Sequence, residues 1–425
     1  MKQHERRVSP LNLVPTGDRK EFRHIILGAG CAGLSLAWYL LEAGVTEPIL
    51  LLDQRQEYIN DRTWCYWGVE PTPFDDLAEY SWNAWDVILD QHQRANNHST
   101  RYPYLFLRSG QFYRRVLDRL QGAYNVTLRL GQKVQGYEEV GGKVVIHTAE
   151  GSYTCQQLFN SVVVPSSNLS RASKAQPWLQ HFHGKWVQAN RPVFDSKRIT
   201  LMDHHVSQKD GPHFMYVLPF SSTEALVENT YLFPTEVSPA RHHNEIADYL
   251  ARNYHLKSWD YEVLEEEAGA IPMGRNKTPK PHSERIQSIG VAGGAVRPST
   301  GYAFMRIQRQ CHQIAARVAS GQRITENTLR FSPRKYDLFD EIMLRALSQS
   351  PHLAPTFFMT LFQHAPTDSV VRFLSECSSF LDEVKIVRAL LKPELIRMIL
   401  KLVWDRQVTL APPLTTPQFP KALQR

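Results

Sequence analysis

Across 425 residues the chain carries only five cysteines. Cys31, Cys65, Cys155, Cys311 and Cys377 fall singly, with no C-x-x-C pair. An odd, scattered set argues against a disulfide framework or a thiolate zinc site and suits a reducing compartment. No run of about 18 apolar residues occurs, so no helix is expected to span a membrane. Residues 1–20 contain Arg6, Arg7, Pro10 and Pro15 and lack an apolar centre. They read as a flexible arm, not a secretory signal. Internal repeats, long low-complexity tracts and metal-ligand spacings are also missing, so no metal is expected. Charge is nearly balanced: a net +7 and a pI near 9.1 point to no nucleic-acid partner and are compatible with an anionic cofactor or membrane surface. What is left is a globular composition, 42% hydrophobic and 21% charged, long enough for two or three domains.

The most informative stretch is 24–53. An apolar run, His24-Ile25-Ile26-Leu27, leads into Gly28-Ala29-Gly30-Cys31-Ala32-Gly33, a G-x-G-x-x-G. Leu34, Leu36, Ala37, Leu40 and Leu41 then recur at helical spacing, Gly44 follows, and Ile49-Leu50-Leu51-Leu52 ends in Asp53. The three glycines serve different physical ends. Gly28 permits the tight turn, Gly30 lets backbone approach a pyrophosphate closely, and Gly33 lets helix pack closely on strand. The helix start offers N–H groups and positive dipole to phosphates. Asp53, about 20 residues on, can accept hydrogen bonds from a ribose. Strand, turn, helix and acid together predict a dinucleotide-binding βαβ unit; a glycine turn that binds nothing is the alternative.

Beyond it, Asn60-Asp61-Arg62-Thr63-Trp64-Cys65-Tyr66-Trp67 is either a loop folding into core or an aromatic wall over an apolar ligand. Strand patterns at 126–130, 143–148, 151–154 and 158–165 return the chain to the nucleotide sheet. Residues 170–284 read as a mostly β insert, with a hairpin at Phe214–Pro219 and Ala225–Thr230. Glu228 interrupts the second strand: a solvent-facing acid, or a carboxyl group in an apolar cavity. Ile286–Gly294 is a strand into a second glycine pair, Gly293 and Gly294, followed by Thr300, Gly301 and Tyr302. That loop is a tight turn or a further set of amides for a phosphate or flavin. The nucleotide domain thus spans 21–169 and 285–330. Residues 331–408 are helical, with an apolar stripe interleaved with Lys385, Arg388 and Lys392 and divided at Pro393. The stripe suits either a membrane interface or packing on its own domain. A proline-rich tail, 409–425, is expected to be loose.

These blocks together resemble the lycopene cyclase family of carotenoid biosynthesis. The likeness runs through Asn60-Asp61-Arg62-Thr63-Trp64, Leu201-Met202-Asp203, Leu226-Val227-Glu228-Asn229-Thr230, Ile271-Pro272-Met273-Gly274 and Pro298-Ser299-Thr300-Gly301-Tyr302. The resemblance implies an α/β fold: a Rossmann-like FAD-binding domain, an inserted mostly β substrate domain and a helical C-terminal region, as in aromatic hydroxylases and geranylgeranyl reductases. It implies reduced FAD with NAD(P)H as reductant, and lycopene or a related linear carotene as substrate. The workplace is then the cytoplasmic side of a membrane, held peripherally, with other carotenoid enzymes as candidate neighbours. The family's essential acid falls on Glu228. Some relatives carry a second acid at the next position, where this chain has Asn229. Gly28, Gly30, Gly33, Asp53, Gly293, Gly294, Thr300 and Gly301 are the expected cofactor contacts; Trp64, Tyr66, Trp67 and Tyr302 are the expected pocket aromatics.

Cyclisation of a polyene end is redox-neutral. A proton adds to the terminal alkene, the resulting cation is attacked by the next double bond, and a proton leaves. The site must therefore supply a protonated acid, electron-rich surroundings and exclusion of water. Two other readings stand beside it: an FAD-dependent monooxygenase or reductase of a lipid-like polyene, which shares the nucleotide loop, and a non-enzymatic lipid carrier that no longer binds a nucleotide, against which the intact Gly28, Gly30, Gly33 and Asp53 argue.

Overall fold

The structure is a computed structural model and describes residues 19–162, 178–232, 237–273, 283–324, 332–393 and 395. The expected arm (apart from Arg19 and Lys20), the tail 409–425 and the helix expected beyond Pro393 lie outside the described residues. Elements are numbered in chain order. The nucleotide sheet has seven strands. Its central strand β1 (Glu21–Leu27) pairs in parallel with β2 (Ile49–Leu52) on one side and β11 (Gly151–Asn160) on the other. Beyond β2 lies β8 (Val126–Arg129); beyond β11 lie β10 (Lys143–Thr148) and β9 (Val134–Val140), with β17 (Ile286–Ser288) also on β11. The strand expected at 151–154 and the first part of the one expected at 158–165 are one continuous strand, Gly151–Asn160; residues 163–165 lie outside the described residues. β1 and β2 are apolar runs because helices and meander cover both faces.

Helix α1 (Cys31–Glu42) packs on α4 (Phe304–Ala319). Leu34, Leu36 and Leu40 share one core with Ile307, Cys311 and Ile314, each such side chain contributing about 1.5–3 kcal/mol on burial. Helix α2 (Ser109–Gln121) closes the same core through Phe112, Val116 and Leu117. The contact with α4 brings the 286–303 segment back to the nucleotide turn.

A second seven-stranded sheet has the order β16 (Tyr261–Met273), β12 (Trp178–Ala189), β15 (Glu224–Leu232), β14 (His213–Pro219), β13 (Arg198–Asp203), β5 (Ala84–Ile88), β6 (Arg94–His98). Its last two strands come from 84–98, a stretch the sequence placed in the nucleotide domain. Ala84, Trp85 and Val87 are buried, and β5 has paired neighbours on both sides, β13 and β6. Three short strands, β3 (Thr63–Trp67), β7 (Tyr104–Arg108) and β4 (Tyr80–Trp82), form a third sheet. The insert also holds a helix, α3 (Pro239–Tyr254), that a mostly β reading left out. Its signals are ordinary ones: Ser238 caps it by accepting from the Arg241 N–H, Pro239 opens it, and His242, Ile246, Tyr249 and Leu250 lie on its buried face.

The C-terminal region is α5 (Arg334–Gln349), α6 (Ala354–His364), α7 (Thr367–Leu374) and α8 (Phe380–Ala389). It is anchored to the 297–301 loop through Arg297. The guanidinium Nε lies 3.0 Å from Asp340 Oδ1, and Nη1 donates to the Phe373 and Leu374 carbonyls at 2.9 and 3.0 Å. Ser299 donates to the same carboxylate at 2.6 Å. This satisfies a guanidinium that is only 1% exposed, as a buried charge requires.

Candidate active site

One cavity of about 1350 Å³ runs from the first glycine turn, past the 296–304 loop, to the insert sheet and the C-terminal helices. Drug-sized pockets span about 300–1,000 Å³, so there is room for more than one small ligand. At one end it is walled by Gly28, Gly30, Asp53 and Arg55, at the other by Phe357, Leu361, Ile386 and Leu390.

The nucleotide end is shaped by contacts that only glycine permits. A Cβ on Gly33 would stand 1.9 Å from the Gly28 carbonyl oxygen, and Gly28 itself has φ +85° with Ser161 Oγ 2.3 Å from where its Cβ would be. Gly30 differs: a Cβ there would meet only Arg55, at 3.8 Å, so its surroundings are open on the cavity side. Gly30 is also the N-cap of α1, with no side chain capping it. Uncapped N–H groups at a helix start are an anion site. Asp53 accepts from the Ala29 and Arg55 N–H groups at 2.6 and 2.8 Å; its Oδ2 also lies 3.3 Å from the Arg55 guanidinium Nε, and Oδ1 keeps a further lone pair for a ribose hydroxyl. These residues fit a dinucleotide such as FAD.

Not every expected contact is on the wall. Thr300 and Gly301 line the cavity; Gly293 and Gly294 do not. The Gly293 N–H is used by the Ile289 and Gly290 carbonyls and the Gly294 N–H by Val291. A Cβ on Gly293 would come within 2.4 Å of the Ser288 carbonyl oxygen. Gly293 thus makes the strand-to-loop turn possible from behind. Of the four aromatics, Trp64 and Tyr302 line the cavity, whereas Tyr66 and Trp67 do not. Tyr66 stacks on Phe304 at 4.8 Å and donates to Asp75; Trp67 packs between Trp85 and Tyr104.

At the insert sheet, β15 presents Leu226 and Glu228 to the cavity, and β12 presents Gln180 and Phe182. Cross-strand register sets Glu228 opposite Gly184 of β12 and opposite Tyr216 of β14. Gly184 is in turn opposite Glu267 of β16, and Glu267 lines the cavity too. The two carboxyl groups therefore flank a strand position that has no side chain. A Cβ at Gly184 would touch Glu267 Cγ and Leu226 Cδ1, both at 3.1 Å. Thr230 donates to Glu228 at 2.6 Å and Thr63 to Glu267 at 3.2 Å.

Both acids are held above their ordinary range. Burial, then the neighbouring Glu267 charge, pushes Glu228 up to about 8, against the hydrogen bond from Thr230. Burial and the Glu265 charge raise Glu267, opposed by Thr63, Arg108 and Arg62. Two like charges in an apolar site do not both ionise near neutrality. Tyr216 and Tyr104, also on the wall, are pushed far up by burial and stay neutral, their hydroxyls 3.0 Å apart. Glu267 was missed because Glu265-Glu266-Glu267 reads as a solvated acidic run; only the β16 register puts Glu267 on the cavity face. Asn229, one residue from Glu228, lies on the opposite face, bonded to His213 and Glu245.

That opposite face also corrects the expectation that no metal-capable cluster exists. His183 of β12, His243 of α3 and Glu266 of β16 bring their ligand atoms within 4.8 Å of one another. Three separate elements supply them, so no linear spacing announces the trio.

The family model for lycopene cyclase protein matches residues 24–398 of the chain. Among curated proteins, the chloroplastic neoxanthin synthase of Solanum tuberosum is 26% identical over 330 residues, covering 72% of this chain. The chain spans only 62% of that relative's length. Lycopene beta-cyclase of Pantoea ananas is 27% identical over 289 residues, 66% of this chain and 70% of its own. Among solved structures, a geranylgeranyl bacteriochlorophyll reductase-like protein from Thermoplasma acidophilum aligns with TM-score 0.59 at 12% identity, over 90% of this chain and all of its own. A flavin-dependent brominase aligns with TM-score 0.60 at 15% identity, over 91% of this chain and all of its own. The fold is thus that of α/β flavoproteins with an inserted sheet.

Proposed function

The chain belongs to the lycopene cyclase family, and from that premise we propose that it is a lycopene β-cyclase, closing the linear ends of lycopene into β-ionone rings. The observation that carries this reading is Glu228: a carboxyl group kept protonated near neutral pH inside an apolar cavity that is continuous with a dinucleotide turn.

In the proposed reaction the Glu228 carboxyl gives its proton to C2 of the terminal alkene. The cation at C1 is attacked by the C5=C6 bond, the C1–C6 bond forms, and loss of the C6 proton leaves the β ring. A plain carboxylic acid is a weak donor to an alkene, so stabilisation of the cation carries much of the barrier reduction. Trp64 and Tyr302 offer π faces worth about 0.5–2 kcal/mol each to a cation. Apolar walls from α6 and α8 exclude water. Gly28, Gly30, Gly33, Asp53, Thr300 and Gly301 would hold FAD, with NAD(P)H the proposed source of its reduced state. When bound, reduced FAD would supply an electron-rich ring able to stabilise positive charge.

A C40 hydrocarbon must arrive from lipid. The apolar end of the cavity is walled in part by Ile342 of α5 and Val387 of α8. Next to them Leu338, Phe380, Leu381, Val384 and Leu391 are also exposed, the whole set between 40% and 75%. No described helix is long and apolar enough to cross a membrane. We therefore assign this face to peripheral contact with the cytoplasmic side of a membrane.

The test is expression in a bacterium that accumulates lycopene, with pigments separated by chromatography. A product of unchanged mass absorbing at shorter wavelength is expected. Lycopene left intact beside an FAD-loaded protein would refute the reading, and a product heavier by one oxygen would install the monooxygenase in its place.

A further inference from the structure

The cyclisation proposed above needs a base as well as an acid, and its cation needs a fixed negative charge. Position 229 cannot supply either to the cavity, because a strand alternates faces and Asn229 points into the His213–Glu245 network. We infer that Glu267 is a second catalytic residue: its carboxylate faces the cation across the bare Gly184 position and accepts the proton released from C6, after which that proton returns to Glu228. This inference rests on the cyclase reading.

Three features set the geometry. First, Glu228 and Glu267 sit on the strands flanking β12, each in register with Gly184. Directly opposed residues share a sheet face, and the intervening residue has no side chain to separate the two carboxyls. Second, the hydrogen bonds are asymmetric in origin. Glu228 is held by Thr230 of its own strand, whereas Glu267 is held by Thr63 of β3, the strand that also carries cavity-lining Trp64 and Cys65. Third, the charged neighbours divide the roles. Glu267 has cations near it, Arg62 and Arg108, the latter bonded at 2.6 Å to Glu265; among the described residues, no cation is one of the influences on Glu228. The single proton of the pair therefore resides on Glu228 and the negative charge on Glu267.

The step balances without any redox partner. Glu228 starts as the acid and Glu267 as the carboxylate. The alkene gains a proton from the first and, after the C1–C6 bond has formed, loses a proton to the second. Transfer from Glu267 to Glu228 restores the starting state, leaving one ring and no net change in protons or electrons. Among the described residues, Cys65, Tyr216 and Tyr104 also face the pair, and all three are raised by burial and neutral.

The experiment compares Glu267→Gln, Glu267→Asp and Glu228→Gln as FAD-loaded proteins on lycopene in vesicles, as a function of pH. In the parent protein the rate should fall at high pH as Glu228 ionises and at low pH as Glu267 protonates. Glu267→Gln should keep FAD, lose about 10²–10⁴-fold in kcat and lose the acid limb. Glu267→Asp should recover part of the rate and keep both limbs. Equal rates and profiles for Gln and Asp would reduce Glu267 to a steric role and overturn the inference, as would a Glu267→Gln protein within about twofold of the parent with both limbs intact. Cyclisation lost in Glu228→Gln but preserved in Glu267→Gln would refute the pair and leave the cyclase reading standing.

A substrate-free readout keeps the pair testable if lycopene is never turned over. Infrared spectra should show a buried protonated carboxyl at neutral pH that Glu228→Gln abolishes and Glu267→Gln shifts to a lower titration point. An unshifted band in Glu267→Gln would overturn the pairing by itself.

Discussion

Replacing Glu228 by Gln should stabilise the protein while ending its chemistry. The carboxyl has an ordinary value of 4.5 and is raised to about 8, chiefly by burial and next by Glu267. Below pH 4.5 folded and unfolded chains both hold the proton, and the group contributes no pH dependence. Above it the unfolded chain releases the proton while the folded chain keeps it, so stability falls as pH rises. The fall ends once the folded carboxyl also ionises, near pH 8. At about 1.36 kcal/mol per pH unit the accumulated penalty is about 3 kcal/mol at pH 7 and at most about 5 kcal/mol above pH 8. Against a typical stability of about 5–15 kcal/mol, that is a large fraction. Glutamine keeps the shape, removes the charge and can still accept from Thr230. Denaturant unfolding of FAD-loaded parent and variant at pH 5, 7 and 8.5 should therefore give curves that diverge with pH, the variant gaining, while carotene cyclisation disappears. Parallel curves, or a variant that loses stability as pH rises, would refute the assignment of a buried, protonated acid.

Gly33→Ala should abolish FAD retention, because its Cβ would fall 1.9 Å from the Gly28 carbonyl oxygen and force the turn open; flavin absorbance of the purified protein reads this directly. Gly184→Val should retain FAD yet lose at least about tenfold in kcat, since its side chain would occupy the space between Glu267 and Leu226; a normal rate would show that the gap is not used. Arg297→Met leaves the buried Asp340 without its bonded guanidinium, Ser299 still donating to it, and should destabilise by about 3–5 kcal/mol, measured by denaturant midpoint. Changing Phe380, Leu381 and Val387 together to Ser should weaken sedimentation with anionic vesicles by about tenfold or more for each buried side chain lost, without altering FAD content.

How much of this was legible in the chain differs from element to element. The βαβ unit was readable because its constraints are local: the turn needs Gly28 and Gly33 within a few residues, and β1, α1 and β2 follow in order. The hairpin at 213–232 was readable for the same reason. The split of the aromatic block was not. Trp64 and Tyr66 share one face of β3 and both stack on Phe304, yet only the first meets the cavity, a distinction set by distant α4. Recruitment of 84–98 into the insert sheet depends on a parallel partner more than a hundred residues away, Arg198–Asp203. α3 was missed although Ser238, Pro239 and the 242–246–249–250 spacing announce it. Glu267 could not have been chosen over Glu265 or Glu266 without the register of β16 on β12. The family motif supplied Glu228, and pairing across Gly184 supplied its partner.

The most direct test of the central claim is turnover of lycopene by the FAD-loaded protein in deuterated water, with the product weighed by mass spectrometry and NAD(P)H followed in parallel. Proton-initiated ring closure predicts β-carotene carrying at most one deuterium for each ring formed, delivered by Glu228 to the extent that the carboxyl pair exchanges with solvent between turnovers, and no reductant consumed in proportion to product. A product that carries oxygen, or NAD(P)H oxidised one for one with it, would contradict the account.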